Sequence, residues 1–388
     1  MGNSCKGLEA LGSSVQKLVI SGYYGFNNSG DEAVLKSILL ALEEEGERQG
    51  VRIEPIVLSV NPPLTEKLYG VRAVHRMRFA EVRQAVRESD GLISGGGSLL
   101  QDATGLKSIP YYLAIVKIAQ WYGKPTFIYS QGIGPVNRRA FYPLIRHVFS
   151  RASYISVRDD ESRDLLRQIG VAPDGIGVVP DPVMAMPLPQ AAESPRPEAA
   201  GAPATDRPVI GVSVRFWNKD RSDLDRLVQG LAAAAAERAV RFHFLPFHLP
   251  SDEAASVYVM ERLRTAAAGS DIELSLYGGS EDPQAMLAEV SRCDLLIGMR
   301  LHSLIYAAGQ AVPVMGITYD PKIDHFMNRL GMKSAATTER MDPQAFAQEA
   351  VSLIDGKADW VRAKSDLIRQ LKADAVKPAQ QIVSFYVK

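Results

Sequence analysis

Asp294-Leu-Leu-Ile-Gly-Met-Arg-Leu-His-Ser-Leu-Ile-Tyr-Ala-Ala-Gly-Gln-Ala-Val-Pro-Val-Met-Gly-Ile-Thr-Tyr-Asp-Pro-Lys322 is the stretch whose reading decides the fold. An apolar run ends at Gly298, a short apolar helical pattern opens near His302, and a second apolar run ends at Ile317, ahead of Lys322. The order is strand, helix, strand. In such a unit the loop after the first strand meets the helix N-terminus, where unpaired backbone N–H groups and the helix dipole favour an anion. Arg300 and His302 sit in that loop, and Lys322 falls just beyond the carboxyl end of the next strand, on the same edge of a parallel sheet. One charge at a helix end gains only about 0.3–1 kcal/mol, so none of the three specifies a ligand alone. Together, with Gly, Ala, Leu and Ile around them and no carboxylate immediately beside Arg300, they predict an anion-binding rim.

The chain as a whole bounds what that rim serves. At 388 residues it exceeds what one hydrophobic core usually supports, so two domains are expected. Hydrophobic residues make up 46% and charged residues 23%, as in ordinary globular enzymes and binding proteins. Basic and acidic residues balance at 44 each, which excludes a bulk field for nucleic acid and makes any basic site local. Cys5 and Cys293 are too few for a disulfide framework and lack metal-ligand spacing, so no metal site is expected. Met1-Gly-Asn-Ser-Cys-Lys6 approaches a myristoylation signal, but Lys6 stands where Ser or Thr is needed. No apolar run nears the roughly 20 residues that span a bilayer, and no secretory pattern precedes Leu18. The expected location is cytoplasmic, with any membrane contact peripheral.

Strand-like runs alternate with helical patterns through the first half: Lys17–Ser21, Ile53–Val60, Gly91–Ser94, Thr126–Ser130, Tyr154–Val157 and Gly177–Val179, with amphipathic stretches such as Glu32–Glu45, Tyr111–Tyr122 and Glu161–Gln168 between them. That alternation predicts a parallel sheet covered on both faces, a Rossmann-like domain over residues 1–186. Residues 187–208 turn to Pro, Ala, Glu, Gly and Ser without hydrophobic period and read as a linker. The pattern restarts with Val209–Val214, Val240–Leu245, Glu273–Leu276, Asp294–Ile297 and Val312–Ile317, so 209–388 is a second Rossmann-like domain. Leu224–Ala236 reads as a helix, and Asp282-Pro283 gives a cap with Pro at the first helical position. The fold class is therefore α/β, two Rossmann-like domains facing a cleft, the plan called GT-B, with the C-terminal helical segment crossing back to the first domain.

Strand ends carry the remaining polar motifs. After the first strand, Ser21-Gly-Tyr-Tyr-Gly-Phe-Asn-Asn-Ser-Gly-Asp-Glu32 lacks the G-x-G-x-x-G spacing of a dinucleotide site. Ser29 and Glu32 have capping-box spacing, which leaves Asn27, Asn28 and Asp31 for other duties. Gly95-Gly-Gly-Ser98 suits either an anion-binding backbone nest or a tight strand-to-helix contact. Gln131, in Ser130-Gln-Gly-Ile-Gly-Pro135, shares that rim. Arg158 with Asp159-Asp160 reads as a helix start, and Asp181 as a hinge or an inward-facing carboxylate. Arg215 ends the first strand of the second half and joins Arg300 and His302 by strand-end geometry. Cys293 reads as core, and His243 and His248 have no clustered ligand partner.

Taken together, Gly-Phe-Asn-Asn-Ser-Gly-Asp-Glu32, Ser-Gly-Gly-Gly-Ser-Leu-Leu-Gln-Asp102, Ser-Gln-Gly-Ile-Gly-Pro135, Arg158-Asp159, Asp181-Pro182, Ser-Val-Arg215 and Met-Arg-Leu-His-Ser303 resemble the polysaccharide pyruvyltransferase family, CsaB type. The joint pattern runs from about Leu18 to Lys322; each piece alone is weak, and the long Pro/Ala linker departs from it. The resemblance implies transfer of pyruvate from phosphoenolpyruvate to two hydroxyls of one sugar as a cyclic ketal, with release of phosphate and no further cofactor. It further implies a lipid-diphosphate-linked acceptor at the inner membrane face, β-ManNAc on GlcNAc, and a secondary cell wall polymer that anchors S-layer proteins. A donor carrying phosphate and carboxylate asks for several cations, since each hydrogen bond to a charged group adds about 1.5–3 kcal/mol. Arg215, Arg300, His302 and Lys322 supply them. Catalysis falls to His302 as phosphate ligand and acid, Asp31 as base and Arg300; Asn28, Glu32, Gly96, Ser98 and Gln131 join Arg215 and Lys322 in binding, with Glu32 the alternative base.

Two other classes remain at this stage. A GT-B glycosyltransferase of the retaining kind usually carries a Glu on the helix between the last two strands, and Ser303–Gly309 has no carboxylate. A non-catalytic glycan- or anion-binding protein would hold phosphoenolpyruvate without turnover.

Overall fold

The structure is a computed structural model and describes residues 14–103, 105–189 and 207–387. Of the segment expected as a linker at 187–208, all but the two ends lies outside the described residues. The first sheet contains β1 (Ser14–Tyr24), β2 (Val51–Ser59), β3 (Arg72–His75), β4 (Gly91–Gly95), β5 (Thr126–Gln131), β6 (Tyr154–Val157) and β7 (Ile176–Val178), in the order β3-β2-β1-β4-β5-β6-β7. The second contains β8 (Val209–Ser213), β9 (Val240–Phe244), β10 (Ile272–Leu276), β11 (Leu295–Gly298), β12 (Val314–Thr318) and β13 (Ala336–Thr337), in the order β10-β9-β8-β11-β12-β13. Every pairing between these strands is parallel. The architecture is α/β with two Rossmann-like sheets.

Helices cross between the strands: α1 (Ser29–Gln49), α2 (Pro62–Tyr69), α3 (Phe79–Glu88), α4 (Ser108–Trp121), α5 (Tyr142–Phe149) and α6 (Asp160–Ile169) in the first half. The second half holds α7 (Ser222–Glu237), α8 (Ser251–Ala266), α9 (Pro283–Ser291), α10 (Leu301–Gly309), α11 (Pro321–Arg329), α12 (Pro343–Asp355), α13 (Lys357–Ala375) and α14 (Lys377–Tyr386). The strands are near-continuous apolar runs because both faces are covered: Leu18, Val19 and Ile20 are fully buried, as are Leu295, Leu296 and Ile297. β3 and β13 escape a reading by periodicity. One has four residues with Arg72 and His75 at its ends, and the other has two.

In each sheet the order reverses beside the first strand, between β1 and β4 and between β8 and β11. Such switch points open a crevice at the carboxyl ends of the strands. The two crevices face each other, and the first turn of α1 spans between them. Ser29 N–H donates to Phe247 C=O at 2.8 Å, and Asn28 pairs with His248 in an isolated antiparallel bridge. Tyr306 OH donates to Ser29 C=O at 2.9 Å and lies 3.0 Å from Ser29 Oγ. This overturns the capping box expected of Ser29 and Glu32. Asn28 is the cap, its Oδ1 accepting from Gly30 N–H at 3.1 Å, while Ser29 turns away to the other domain.

The chain end crosses back. Lys357 on α13 bonds Asp294 at 2.7 Å in the second half, whereas Tyr386 on α14 donates to Asp90 C=O at 3.1 Å and packs on Phe127 of the first sheet. Gly91 leaves room for the Tyr386 hydroxyl, which lies 2.3 Å from where a Cβ would stand. The two halves are thus joined at the cleft by Tyr306 and behind it by α13 and α14. Tyr306→Phe removes buried hydrogen bonds to Ser29, which costs about 0.5–1.5 kcal/mol for a typical bond; urea unfolding should show a lower midpoint, and an unchanged midpoint would remove Tyr306 from the interdomain seam.

Candidate active site

Asp31 stands in the first turn of α1, directly after the β1 switch point, and His302 in the first turn of α10, directly after β11. Gly30 lets the two turns meet. A Cβ on Gly30 would sit 2.2 Å from His302 Nδ1, so only glycine admits the imidazole there. Asn28 Nδ2 donates to Asp31 Oδ2 at 2.6 Å. Burial raises the Asp31 carboxyl to about 6, with Asp181 adding to the rise and His302, Lys322 and Arg158 opposing it.

Asp181 is the second carboxylate at this place and has the opposite character. It is 3% exposed, between Pro180 and the short 3-10 helix Pro182–Ala185, and its Oδ1 accepts from Val183 N–H at 3.2 Å. Its Oδ2 lies 3.6 Å from His302 Nε2 and 3.5 Å from Arg158 Nη1. Burial works against its charge, but His302, Arg158 and the Val183 N–H together hold it below the usual carboxylate range. Asp181 therefore faces inward and is no exposed hinge.

Arg158, expected as part of a helix start, extends this chain of charges. Asp159 caps α6, while the Arg158 guanidinium turns into the cleft, 8% exposed, and donates to Ser98 Oγ at 3.1 Å. Gly132 makes the space, since a Cβ there would lie 2.6 Å from Arg158 Nη2. The sequence carried a signal for it: Ser156-Val-Arg158 repeats Ser213-Val-Arg215, each at the carboxyl end of a strand.

The cations of the second half are more constrained than their neighbours in sequence suggest. Arg300 is not without a carboxylate: its Nε and Nη2 grip Asp252 at 2.8 and 2.5 Å, and Asp252, at the start of α8, is fully buried. Forty-eight residues separate the pair in sequence, which hid it. Nη1 of Arg300 has no hydrogen-bond partner among the described residues and remains for a ligand. Lys322, in the first turn of α11, pairs with Asp320 at 3.0 Å and is about one-third exposed. Arg215 donates to Tyr319 OH at 2.9 Å and is flanked by the rings of Trp217 and Tyr319, while its Nε is buried without a partner. α10 begins without a side-chain cap, so backbone N–H groups of its first turn stay available at the same rim.

Three expected binders stand differently. Gln131 is fully buried, and both ends of its amide lack partners. It follows Ser130, whose φ of 46° bends the end of β5 at a place where a register shift interrupts the pairing with β6. Gly96 answers the choice between nest and packing in favour of packing: a Cβ would lie 2.0 Å from Val34 Cγ1, and its N–H already bonds Tyr129 C=O at 2.9 Å. Gly97 rather than Gly96 borders Asp31, 3.1 Å from Oδ1 to where a Cβ would stand. Glu32 is likewise committed, one oxygen accepting from Gly25 N–H at 2.7 Å and the other from Tyr69 OH at 2.8 Å, so it is unsuited to take a substrate proton.

Buried polar atoms without a hydrogen-bond partner among the described residues include both amide ends of Gln131, Ser213 Oγ and Arg215 Nε, at or just beyond the carboxyl ends of β5 and β8. Buried polar groups are normally paired, so these atoms are candidates to meet a polar ligand. For a metal, the described residues offer one group with ligand spacing, Asp159, Glu161 and His325, whose ligand atoms lie within 4.8 Å of one another at the seam. Asp159 is engaged as the α6 cap and His325 pairs with Glu161 at 3.5 Å.

Two Rossmann-like sheets with facing switch points and a polar cleft between them define the class, a GT-B-like α/β protein. Solved structures share it. A putative UDP-N-acetylglucosamine 2-epimerase from Listeria monocytogenes superposes with a TM-score of 0.63 at 14% identity, over 96% of this chain and 95% of that one. A glycosyltransferase from Rickettsia africae ESF-5 gives 0.64 at 12%, over 97% and 99%. The UDP-GlcNAc 2-epimerase of Methanocaldococcus jannaschii gives 0.63 at 12%, over 96% and 99%. At such identities the likeness is one of fold. No curated protein matches the chain. The polysaccharide pyruvyl transferase family model matches residues 28–321, from the cap of α1 to the start of α11, and the chain belongs to that family. Among the described residues no helix is long and apolar enough to cross a membrane.

Asp252→Ala would leave Arg300 a buried cation without its carboxylate. Loss of one partner of such a pair costs about 3–5 kcal/mol, so the variant should unfold at markedly lower urea; stability equal to the parent chain would show that Arg300 does not depend on Asp252.

Proposed function

We propose that the protein transfers pyruvate from phosphoenolpyruvate to two hydroxyls of one sugar as a cyclic ketal, releasing phosphate. The reading rests on one observation above the rest: the first turns of α1 and α10 meet where Gly30 alone leaves room for His302, which brings Asp31 and His302 together from the two halves beside the partnerless buried amide of Gln131. Family membership supplies the pyruvyl group and a polysaccharide acceptor. Phosphoenolpyruvate brings a phosphate and a carboxylate, and Lys322, Arg215, the free edge of Arg300 and the uncapped start of α10 are donors of matching charge.

In this proposal His302, protonated and oriented by Asp181, gives its proton to the methylene carbon of phosphoenolpyruvate, and the neighbouring carbon becomes electrophilic. A sugar hydroxyl attacks there and loses its proton to Asp31. The C–O bond to phosphate breaks, the electron pair leaves with phosphate, and the second hydroxyl closes the ketal while its proton leaves with phosphate. Gln131 and Ser98 line the first-domain side, where the acceptor binds. The acceptor is a lipid-diphosphate-linked disaccharide, β-ManNAc on GlcNAc, met at the cytoplasmic membrane face, and the product serves a secondary cell wall polymer for S-layer anchoring. No cofactor is required. A nucleotide-sugar glycosyltransferase of the retaining kind is disfavoured because α10 carries no carboxylate.

Incubation with phosphoenolpyruvate and a synthetic lipid-linked ManNAc-GlcNAc diphosphate should release phosphate and give an acceptor heavier by one pyruvyl ketal. Nucleotide release from a UDP-sugar without that product would contradict the proposal. His302→Ala should abolish turnover with the fold intact, whereas parent-like rates would remove His302 from the site. The base must be ionised, so the rate should fall as pH drops through about 6, where Asp31 takes up its proton. Asp31→Asn should abolish most activity and any residual rate should lack that acid limb; an unchanged limb would assign it to another group.

A further inference from the structure

Four groups, from the end of β1, the β1–α1 loop, the segment after β3 and α4, are stacked in a row. The rings of Tyr23 and Phe26 lie 3.9 Å apart and 3° from parallel. Behind Phe26 the guanidinium of Arg76 sits 5.4 Å from the ring centroid and then 4.4 Å over the ring of Tyr111. Arg76 is 7% exposed and has no carboxylate partner among the described residues. It donates instead to Gly22 C=O at 3.0 Å and Tyr112 OH at 3.2 Å, while Tyr111 OH donates to Arg76 C=O at 3.1 Å. Burying an Arg without an acid is costly unless π faces and hydrogen bonds replace water. Its effect here is to fix the stack. Asn27, with φ 56°, turns the loop immediately after Phe26.

The outermost member, Tyr23, is 36% exposed, and its hydroxyl bonds no described residue. Burial and the charge of Asp31 raise that hydroxyl's pKa, against the lowering effect of Arg76. Tyr23 lies at the carboxyl end of β1, the edge from which α1 carries Asp31 into the cleft, and no other described ring or cation stacks on it besides Phe26. A pyranose ring matches such a face chemically. Several of its C–H groups point to one side and are attracted to the negative face of an aromatic ring, while its hydroxyls point outward to polar partners.

We propose that the Tyr23–Phe26–Arg76 stack is the platform for the acceptor pyranose, holding its C–H face against Tyr23 so that its hydroxyls reach Asp31. The platform rests on the reading of the protein as a sugar-modifying transferase, and goes beyond it in naming the side chains that select the acceptor.

Saturation-transfer NMR with the free ManNAc-GlcNAc disaccharide and the full chain tests it without requiring turnover. The parent protein should saturate the C–H protons of one pyranose face. Tyr23→Ala should weaken binding about tenfold, equivalent to about 1.4 kcal/mol, whereas Tyr23→Phe and Tyr23→Trp should retain it because they keep the ring. Thermal unfolding of Tyr23→Ala checks that the loop is intact. No saturation in the parent, equal binding in Tyr23→Ala, or binding of UMP that depends on Tyr23 in place of the disaccharide would overturn the platform. In turnover assays Tyr23→Ala should raise the acceptor KM and leave the phosphoenolpyruvate KM unchanged. Disaccharide binding that depends on Tyr23 without phosphate release would sink the pyruvyl transfer and spare the platform; turnover with an unchanged acceptor KM would do the reverse.

Discussion

The contact between the first turn of α1 and the first turn of α10 governs the rest of the site. Gly30 has no side chain, and the imidazole of His302 occupies the space a Cβ would need. Ser29 and Tyr306 tie the same two turns together through buried hydrogen bonds. Both turns begin at switch points, one in each sheet. Two helix N-termini converge there; the donors of α1 are taken by Phe247 and Asn28, while the first turn of α10, uncapped by a side chain, keeps backbone donors at the positive end of its dipole.

That convergence also explains why two buried carboxylates behave oppositely. Asp181 has His302 and Arg158 at 3.6 and 3.5 Å and stays charged. Asp31 has an amide donor from Asn28, but burial outweighs the opposing charges of His302, Lys322 and Arg158 and lifts its carboxyl to about 6. Carboxylates pushed apart in this way divide the labour of acid–base chemistry. One holds and orients the imidazole, and the other changes protonation near neutral pH. Arg300, locked onto Asp252, gives fixed charge and geometry rather than mobility.

The strand-helix-strand reading of Asp294–Lys322 followed from periodicity alone, and β11, α10 and β12 lie where the apolar runs fall because short parallel strands are apolar on both faces. The alternation on either side of the Pro/Ala-rich stretch likewise made both sheets legible. β3 and β13 were not, because short edge strands carry no period. At the site, residues at strand ends could be nominated from sequence, since every loop at the carboxyl edge reaches the same crevice. Their partners could not. Ser29 finds Tyr306 across 277 positions and Arg300 finds Asp252 across 48, distances over which local pattern says nothing. The mistaken capping box shows the limit well: spacing proposed Ser29, and a tertiary hydrogen bond took it elsewhere. Gly96 shows the same, its backbone donor having been spent on Tyr129.

Asp31 and His302 form one electrostatic unit across the domain seam. Carboxyl-carbon NMR titration of Asp31 in the parent protein and in His302→Gln tests this coupling. The midpoint should lie near 6 in the parent and higher in His302→Gln, because the imidazole's charge opposes the effect of burial. A midpoint near the ordinary aspartate value of 3.8, unmoved by the substitution, would contradict it.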